Sequence, residues 1–195
     1  MDILYWFGIG NLVLLLIAAI IFGLPSTKGW AAEKTVRGIL KTLPRDKYFT
    51  LNDVYFRGKR WSCQIDHLVI SPFGIFCIET KNYLGMISGD YHDKYLQRKV
   101  LGMKYKTYSP IHQNYRHLQR LVETFPLIRS NSKALHSIVC FMPGGKPKIE
   151  GSGAATICMI PEVKKEILKY DNQVLSQNDC EKIASEVRKA SLRHN

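Results

Sequence analysis

The sequence predicts an α/β chain, an α+β mixed sheet flanked by helices, with one transmembrane helix ahead of it at the N-terminus. Short runs of branched and aromatic residues bounded by Gly and Pro turns predict the strands. Segments such as 110–125 carry apolar residues at helical period instead. The third observation is the nearly unbroken apolar stretch from Ile3 to Leu24.

That first stretch has the length of an anchor. As a helix its 22 residues reach roughly 33 Å, against a hydrocarbon core of about 30 Å. A cleaved signal peptide fits less well, because the leading residues are Met1-Asp2 and no small-residue cleavage site follows. Lys28, Lys34, Arg37 and Lys41 follow the stretch and no basic residue precedes it. The bias toward positive charge on the inner side then places the N-terminus outside and the rest in the cytoplasm, at the cell's inner membrane. Residues 1–25 are thus expected to be an anchor and 26–195 one domain. Its core motifs lie at 29–142, and a C-terminal strand and helices at 154–192.

In chain order, Pro25 to Gly29 reads as a linker. Val36, Ile39, Leu40 and Leu43 then form one helical stripe, ended by Pro44. Tyr48 to Phe56 and Ser62 to Ser71 read as strands around the basic turn at Gly58. The Pro72-Phe73-Gly74 turn joins the second to Ile75–Lys81, whose apolar start suits a doubly covered central strand. Residues 82–108 mix short strands and turns. Pro110 opens a helix with Ile111, Tyr115, Leu118, Val122 and Phe125 facing inward. Ser137–Met142 is a further strand, 143–153 a Gly/Pro/Lys loop, and Ala154–Ile160 another strand. Two helices close the chain, the last capped by Ser176 and burying Cys180, Ile183, Ala184 and Val187.

Composition narrows the function classes. The net charge is +12 and residues 1–24 contribute only Asp2, so the remainder carries +13. Such an excess favours polyanions, either nucleic acid or the anionic face of a membrane. The five cysteines are spread without zinc-ligand spacing, so no zinc site is expected. Gly144-Gly145-Lys146 lacks the spacing of a phosphate-binding loop.

Three residues have the pattern of phosphodiester hydrolysis. That chemistry uses a divalent metal to offset phosphate charge and generate a nucleophile near neutral pH. Mg2+ takes one or two carboxylates and leaves positions for water and substrate. Glu79 and Lys81 are two apart on a strand and share a face, and the turn at 72–74 can bring Asp66 beside them. On spacing alone a surface salt bridge with an incidental aspartate fits the triplet better. His67 should point away from Asp66 as a packed or hydrogen-bonded histidine.

The segment from Gln64 to Tyr83, Gln-Ile-Asp-His-Leu-Val-Ile-Ser-Pro-Phe-Gly-Ile-Phe-Cys-Ile-Glu-Thr-Lys-Asn-Tyr, resembles the core signature of NERD (nuclease-related) domains. That family is similar in its motifs to the PD-(D/E)xK nucleases. The resemblance implies a restriction-endonuclease-like core and Mg2+ (or Mn2+) as cofactor. It implies Asp66 and Glu79 as metal ligands, Lys81 as catalytic lysine, and Glu33 as a further metal-binding carboxylate. Ser109-Pro110-Ile111-His112-Gln113 resembles the family's Asn-Pro-x-x-Gln segment and adds Gln113 to the site. Ser109 for Asn and Ala32 for Gly are departures at supporting positions.

Between Lys94 and Val122 stand Lys94, Arg98, Lys99, Lys104, Lys106, Arg116 and Arg120, interleaved with tyrosines and no acid. Cations beside aromatics are a nucleic-acid footprint, and DNA is the expected partner. Contact with anionic lipid is the competing use of the same charge. The expected activity is Mg2+-dependent hydrolysis of DNA at the membrane. The alternative is a binding module that holds nucleic acid or a partner there without catalysis.

Overall fold

The computed structural model describes residues 9–13, 25–56 and 62–192. Helix α1 (Pro25–Leu40) precedes strands β1 (Phe49–Phe56), β2 (Cys63–Ser71), β3 (Gly74–Lys81), β4 (Gly85–Asp90), β5 (Tyr95–Val100) and β6 (Met103–Tyr108). Then come α2 (Pro110–Thr124), α3 (Pro126–Ser130), β7 (Leu135–Phe141), β8 (Gly145–Glu150), β9 (Ala155–Met159), α4 (Val163–Leu168) and α5 (Gln177–Leu192). Five strands form one sheet in the order β1-β2-β3-β7-β9, and four form a second in the order β6-β5-β4-β8. Both are mixed, with antiparallel hairpins on one side and the parallel pairs β3/β7, β7/β9 and β4/β8 on the other.

The five-stranded sheet is covered on both faces, which explains the apolar run of β3. Alternate residues diverge: Phe76 and Ile78 pack with Ala32, Val36 and Leu40 of α1 and with Val163 and Ile167 of α4. Ile75 and Cys77 face the opposite layer, with Leu121 of α2 and Ile183, Ala184 and Val187 of α5. The tight turn into β3 needs a glycine, because a Cβ on Gly74 would stand 2.6 Å from the His136 ring. All five cysteines are buried and unpaired.

The second sheet grows out of the first. The parallel pair β3/β7 breaks at residues 82–84 and 142–144, then resumes as β4/β8. Backbone hydrogen bonds from Met142 N–H to the Lys81 carbonyl and from Gly85 N–H to the Gly144 carbonyl bridge the break, each 3.0 Å. Buried Ile87 and Leu96 close the second sheet onto Ile111, Val139 and Phe141.

Several expectations are corrected. The single mixed sheet is two mixed sheets, because residues 145–150, expected as loop, form β8 and complete the second one. The linker at 25–29 is the first part of α1. Tyr115 lies on the apolar stripe of α2 yet is 58 % exposed. The transmembrane helix is not supported: among the described residues no helix is long and apolar enough to cross a membrane. Helix α1 has 16 residues, about 24 Å at the helical rise, and carries Glu33, Lys34 and Arg37. Of the stretch 3–24, only 9–13 are described, as exposed helix, and the rest lies outside the described residues. With the anchor goes the basis for a single-pass placement with an outer N-terminus and a cytoplasmic domain.

Asn114 fastens α2 to the sheet. Fully buried, its amide donates to the Cys77 carbonyl (2.9 Å), Ser137 Oγ (2.8 Å) and the Ile138 carbonyl (3.2 Å), and its oxygen accepts from Cys77 Sγ at 3.0 Å. Losing that amide strands buried carbonyls. Asn114→Ala is expected to destabilise the protein by about 3 kcal/mol, measured by urea unfolding. A change within ±0.5 kcal/mol would show that α2 docks by apolar packing alone.

Candidate metal and nucleic-acid site

The site forms where β3 leaves the sandwich. The β2/β3 register pairs His67 with Ile78, so its next step sets Asp66 beside Glu79. By strand parity Glu79 and Lys81 share the face of Ile75 and Cys77, toward α2, while β2 breaks alternation around Asp66, with Ile65 and Leu68 in one core layer. Asp66 Oδ2 accepts the Thr80 N–H at 2.8 Å, just past the last ladder pair.

Lys81 is held from two sides. Its Nζ donates to Glu79 Oε1 at 2.5 Å and to Gln113 Oε1, on the first turn of α2, at 3.0 Å. An ammonium has three N–H groups, so one is left for water or a phosphate oxygen. One helical turn beyond Gln113, His117 Nδ1 is 3.4 Å from Glu79 Oε2, but without hydrogen-bond geometry. That oxygen is buried and accepts no hydrogen bond, in a side chain only 1 % exposed.

The electrostatics are those of a site short of positive charge. Burial raises the Glu79 carboxyl above the usual range; Lys81 opposes this and Asp66 and Glu33 reinforce it. Asp66 is also raised, chiefly by burial, with the Thr80 N–H and Lys81 pulling down and Asp53 pushing up. Glu33 is raised by burial and then by Asp66 and Asp53. For Lys81, burial pushes down, but Glu79, Tyr83 and Asp66 together outweigh it and the ammonium is held. His117 is lowered to about 4 by burial, Lys81 and Arg116, and is therefore neutral at pH 7.

These features fit a divalent cation. A carboxylate oxygen with no donor and three mutually repelling acids are what an incoming cation relieves. Among the described residues, however, no group of three or more His, Cys, Asp or Glu stands close enough to hold a metal ion. Asp66 and Glu79 therefore form the nucleus of the site, and Glu33, on α1, is its electrostatic neighbour.

Two residues escaped the sequence reading. The β1/β2 register pairs Asn52 with His67 and Val54 with Ile65, which leaves Asp53 opposite Asp66 with φ 51°. Asp53 is ion-paired with Arg37, one helical turn after Glu33. His117 has no motif, and only the docking of α2 brings it beside Glu79. His67 packs as expected: fully buried, its Nδ1 lies 2.7 Å from Asn52 Oδ1.

The basic segment is divided by the structure. Lys99, Lys104 and Lys106 are exposed on β5 and β6, and Lys94 is exposed just before β5. Arg98 points inward, over the Tyr83 ring at 5.1 Å and donating to the Leu84 carbonyl at 3.0 Å. Tyr83 in turn lies 6.0 Å from Lys81 Nζ, so one ring stands between Arg98 and the site lysine. Arg116 and Arg120 lie on α2, where Arg120 approaches Glu123.

The family profile described as "Nuclease-related domain" matches residues 28–142 and so takes in Glu33, Asp66, Glu79, Lys81 and Gln113. An uncharacterized protein of Bacillus anthracis is 36 % identical over 98 residues, 50 % of this chain and 46 % of that protein. The chain thus spans about half the length of the curated relative it matches. No solved structure matches it. With a profile match covering more than half its residues, the chain belongs to the nuclease-related domain family.

Proposed function

We propose that this protein is a metal-dependent nuclease that hydrolyses DNA phosphodiester bonds. The observation that carries the proposal is the buried Glu79–Lys81–Gln113 chain beside Asp66, with one Glu79 oxygen left without a donor. Asp66 and Glu79 would hold Mg2+ or Mn2+, and Glu33 would complete the acidic rim. Such an ion, when bound, supplies charge neutralisation at the phosphate and a more acidic water.

The chain's own groups do the rest. Gln113 has no charge to lose, so it fixes the Lys81 ammonium without altering its protonation. Glu79 holds the same ammonium from the other side and keeps it from drifting toward solvent. The remaining N–H of Lys81 can hold an attacking water or steady the charge that develops on a phosphate oxygen. His117, neutral at pH 7, lies against the second Glu79 oxygen and adds no positive charge of its own there.

A second reading has its own observation. The lack of a three-residue ligand cluster among the described residues favours a module that keeps the fold but binds nucleic acid without cutting it. Cleavage assays separate the two.

Incubating the full chain with labelled DNA and Mg2+ or Mn2+ is expected to give cleavage that Lys81→Ala and Asp66→Asn each reduce at least ~100-fold, the first by loss of a transition-state donor and the second by loss of a metal ligand. Equal cleavage by wild type and variants would sink the catalytic assignment. Asp66→Asn retains the oxygen that accepts the Thr80 N–H, so the fold is expected to survive.

The raised carboxyls give a pH dependence with a definite sign. A carboxyl whose pKa is raised on folding favours the folded state in acid and loses that contribution as pH rises through its folded value. At neutral pH the acid cluster therefore costs stability, and metal must displace protons to bind. Metal affinity is expected to rise between pH 6 and 8, with proton release seen by calorimetry in buffers of different ionisation heat. In EDTA at pH 7, Asp66→Asn is expected to melt a few degrees above wild type. A pH-independent affinity and a lower melting temperature would contradict this account.

A further inference from the structure

The outer face of the second sheet carries a lysine array that no linear segment displays. Cross-strand partners share a face, so the register can be followed across all four strands. Lys104 pairs with Lys99, Lys99 with Met86, and Met86 with Lys146. In the next row Lys106 pairs with Gln97, Gln97 with Ser88, and Ser88 with Lys148. The five lysines are exposed, while the alternating residues Ile87 and Leu96 are buried against the domain. Neither row contains an acid. Asp90 and Glu150 pair one row beyond and mark where the positive face stops.

The layout is two basic columns around a neutral centre. Lys104, Lys106 and Lys99 lie on β6 and β5, Lys146 and Lys148 on β8, with Met86, Ser88 and Gln97 between them. At about 4.8 Å per strand the columns are roughly 10–14 Å apart. That is the scale of the B-DNA major groove, about 12 Å between its flanking backbones. A sheet face with lysines at both margins and an uncharged centre fits two phosphate backbones better than it fits one extended strand. None of these side chains reads base edges in a fixed geometry, so the contact is one of charge rather than sequence.

We propose that this face docks double-stranded DNA by its phosphate backbones, with Lys146 and Lys148 as contacts beyond the segment 94–120. The inference rests on the nuclease reading for its choice of polyanion, but concerns binding at a surface distinct from the metal site. Lipid is the competing occupant: Leu101, 76 % exposed at the tip of the β5–β6 hairpin, is the side chain a bilayer would take up.

The test measures duplex DNA binding by the full chain in EDTA across a salt series, so that it is independent of cleavage. Replacing Lys99, Lys104, Lys106, Lys146 and Lys148 together by Gln is expected to weaken binding at least ~100-fold and to flatten the log–log salt slope by about 3 to 4. A control that loses equal charge elsewhere, at exposed Lys41, Lys133, Lys182, Arg188 and Lys189, should bind within about threefold of wild type, as expected if contact phosphates dominate. Leu101→Ser should leave DNA binding unchanged. Face and control variants that bind alike would overturn the proposal. So would absence of DNA binding together with Leu101-dependent binding to phosphatidylserine vesicles. Cleavage lost in Asp66→Asn with the face variant binding normally would sink this inference alone, whereas face-dependent binding without any cleavage would sink only the catalytic reading.

Discussion

The ion pair between Glu79 and Lys81 organises this molecule. A carboxylate as deeply buried as Glu79 is tolerated only where charge and hydrogen bonds answer it. Lys81 answers from the same strand, two residues on, because strand parity puts both side chains on one face. Gln113 then fixes the ammonium from a different element. For that to happen α2 must lie across β3 at one height, and Asn114, the next residue in the chain, sets that height by binding the Cys77 and Ile138 carbonyls. Adjacent positions on one helical turn thus divide the work between holding the fold and holding the site.

Stability and function pull against each other here. Glu33, Asp66 and Glu79 repel one another in a partly desolvated corner, and each holds its proton more tightly than a free carboxyl does. Folding gains the Glu79–Lys81 pair and the Thr80 N–H bond to Asp66, but not the repulsion among the three carboxyls. Asp53 adds to the strain, with a left-handed backbone conformation that aspartate adopts only at some expense. Its partner Arg37 stands one helical turn from Glu33 and lowers that carboxyl, against the push of burial and the two aspartates. Lys81 offsets that repulsion only in part, since all three carboxyls stay raised.

The two sheets give the protein two separate polar regions. Inward, the break between β3 and β4 sets Tyr83 and Arg98 around Lys81. Outward, the same strands turn their alternate residues to solvent and assemble lysines from β5, β6 and β8. A period of two is the common cause: one register step decides whether a cation joins the site or the surface. Arg98 and Lys99 are neighbours in sequence and lie on opposite faces.

Strands β1, β2, β3, β7 and β9, the helix opened by Pro110 and the Ser176-capped last helix are legible from residue order alone, because each has a local signal of period, turn or cap. Residue order also places Glu79 and Lys81 on one face, since parity within a strand needs no partner. Tertiary structure decided what depends on residues far apart in the chain. Residues 145–150 become a strand because β4 offers a parallel edge, although Pro147 and two lysines argue locally for a loop. Tyr115 fits the apolar stripe of α2, yet it is left exposed while His117 is buried beside Glu79. Asp53 has no motif; only the β1/β2 register puts it opposite Asp66. The apolar stretch 3–24 shows the limit from the other side: length and hydropathy suggested a span, and no described helix supports one. Local sequence carries dihedral preference and periodicity, whereas registry, charge neighbourhoods and the second sheet arise from contacts between distant segments.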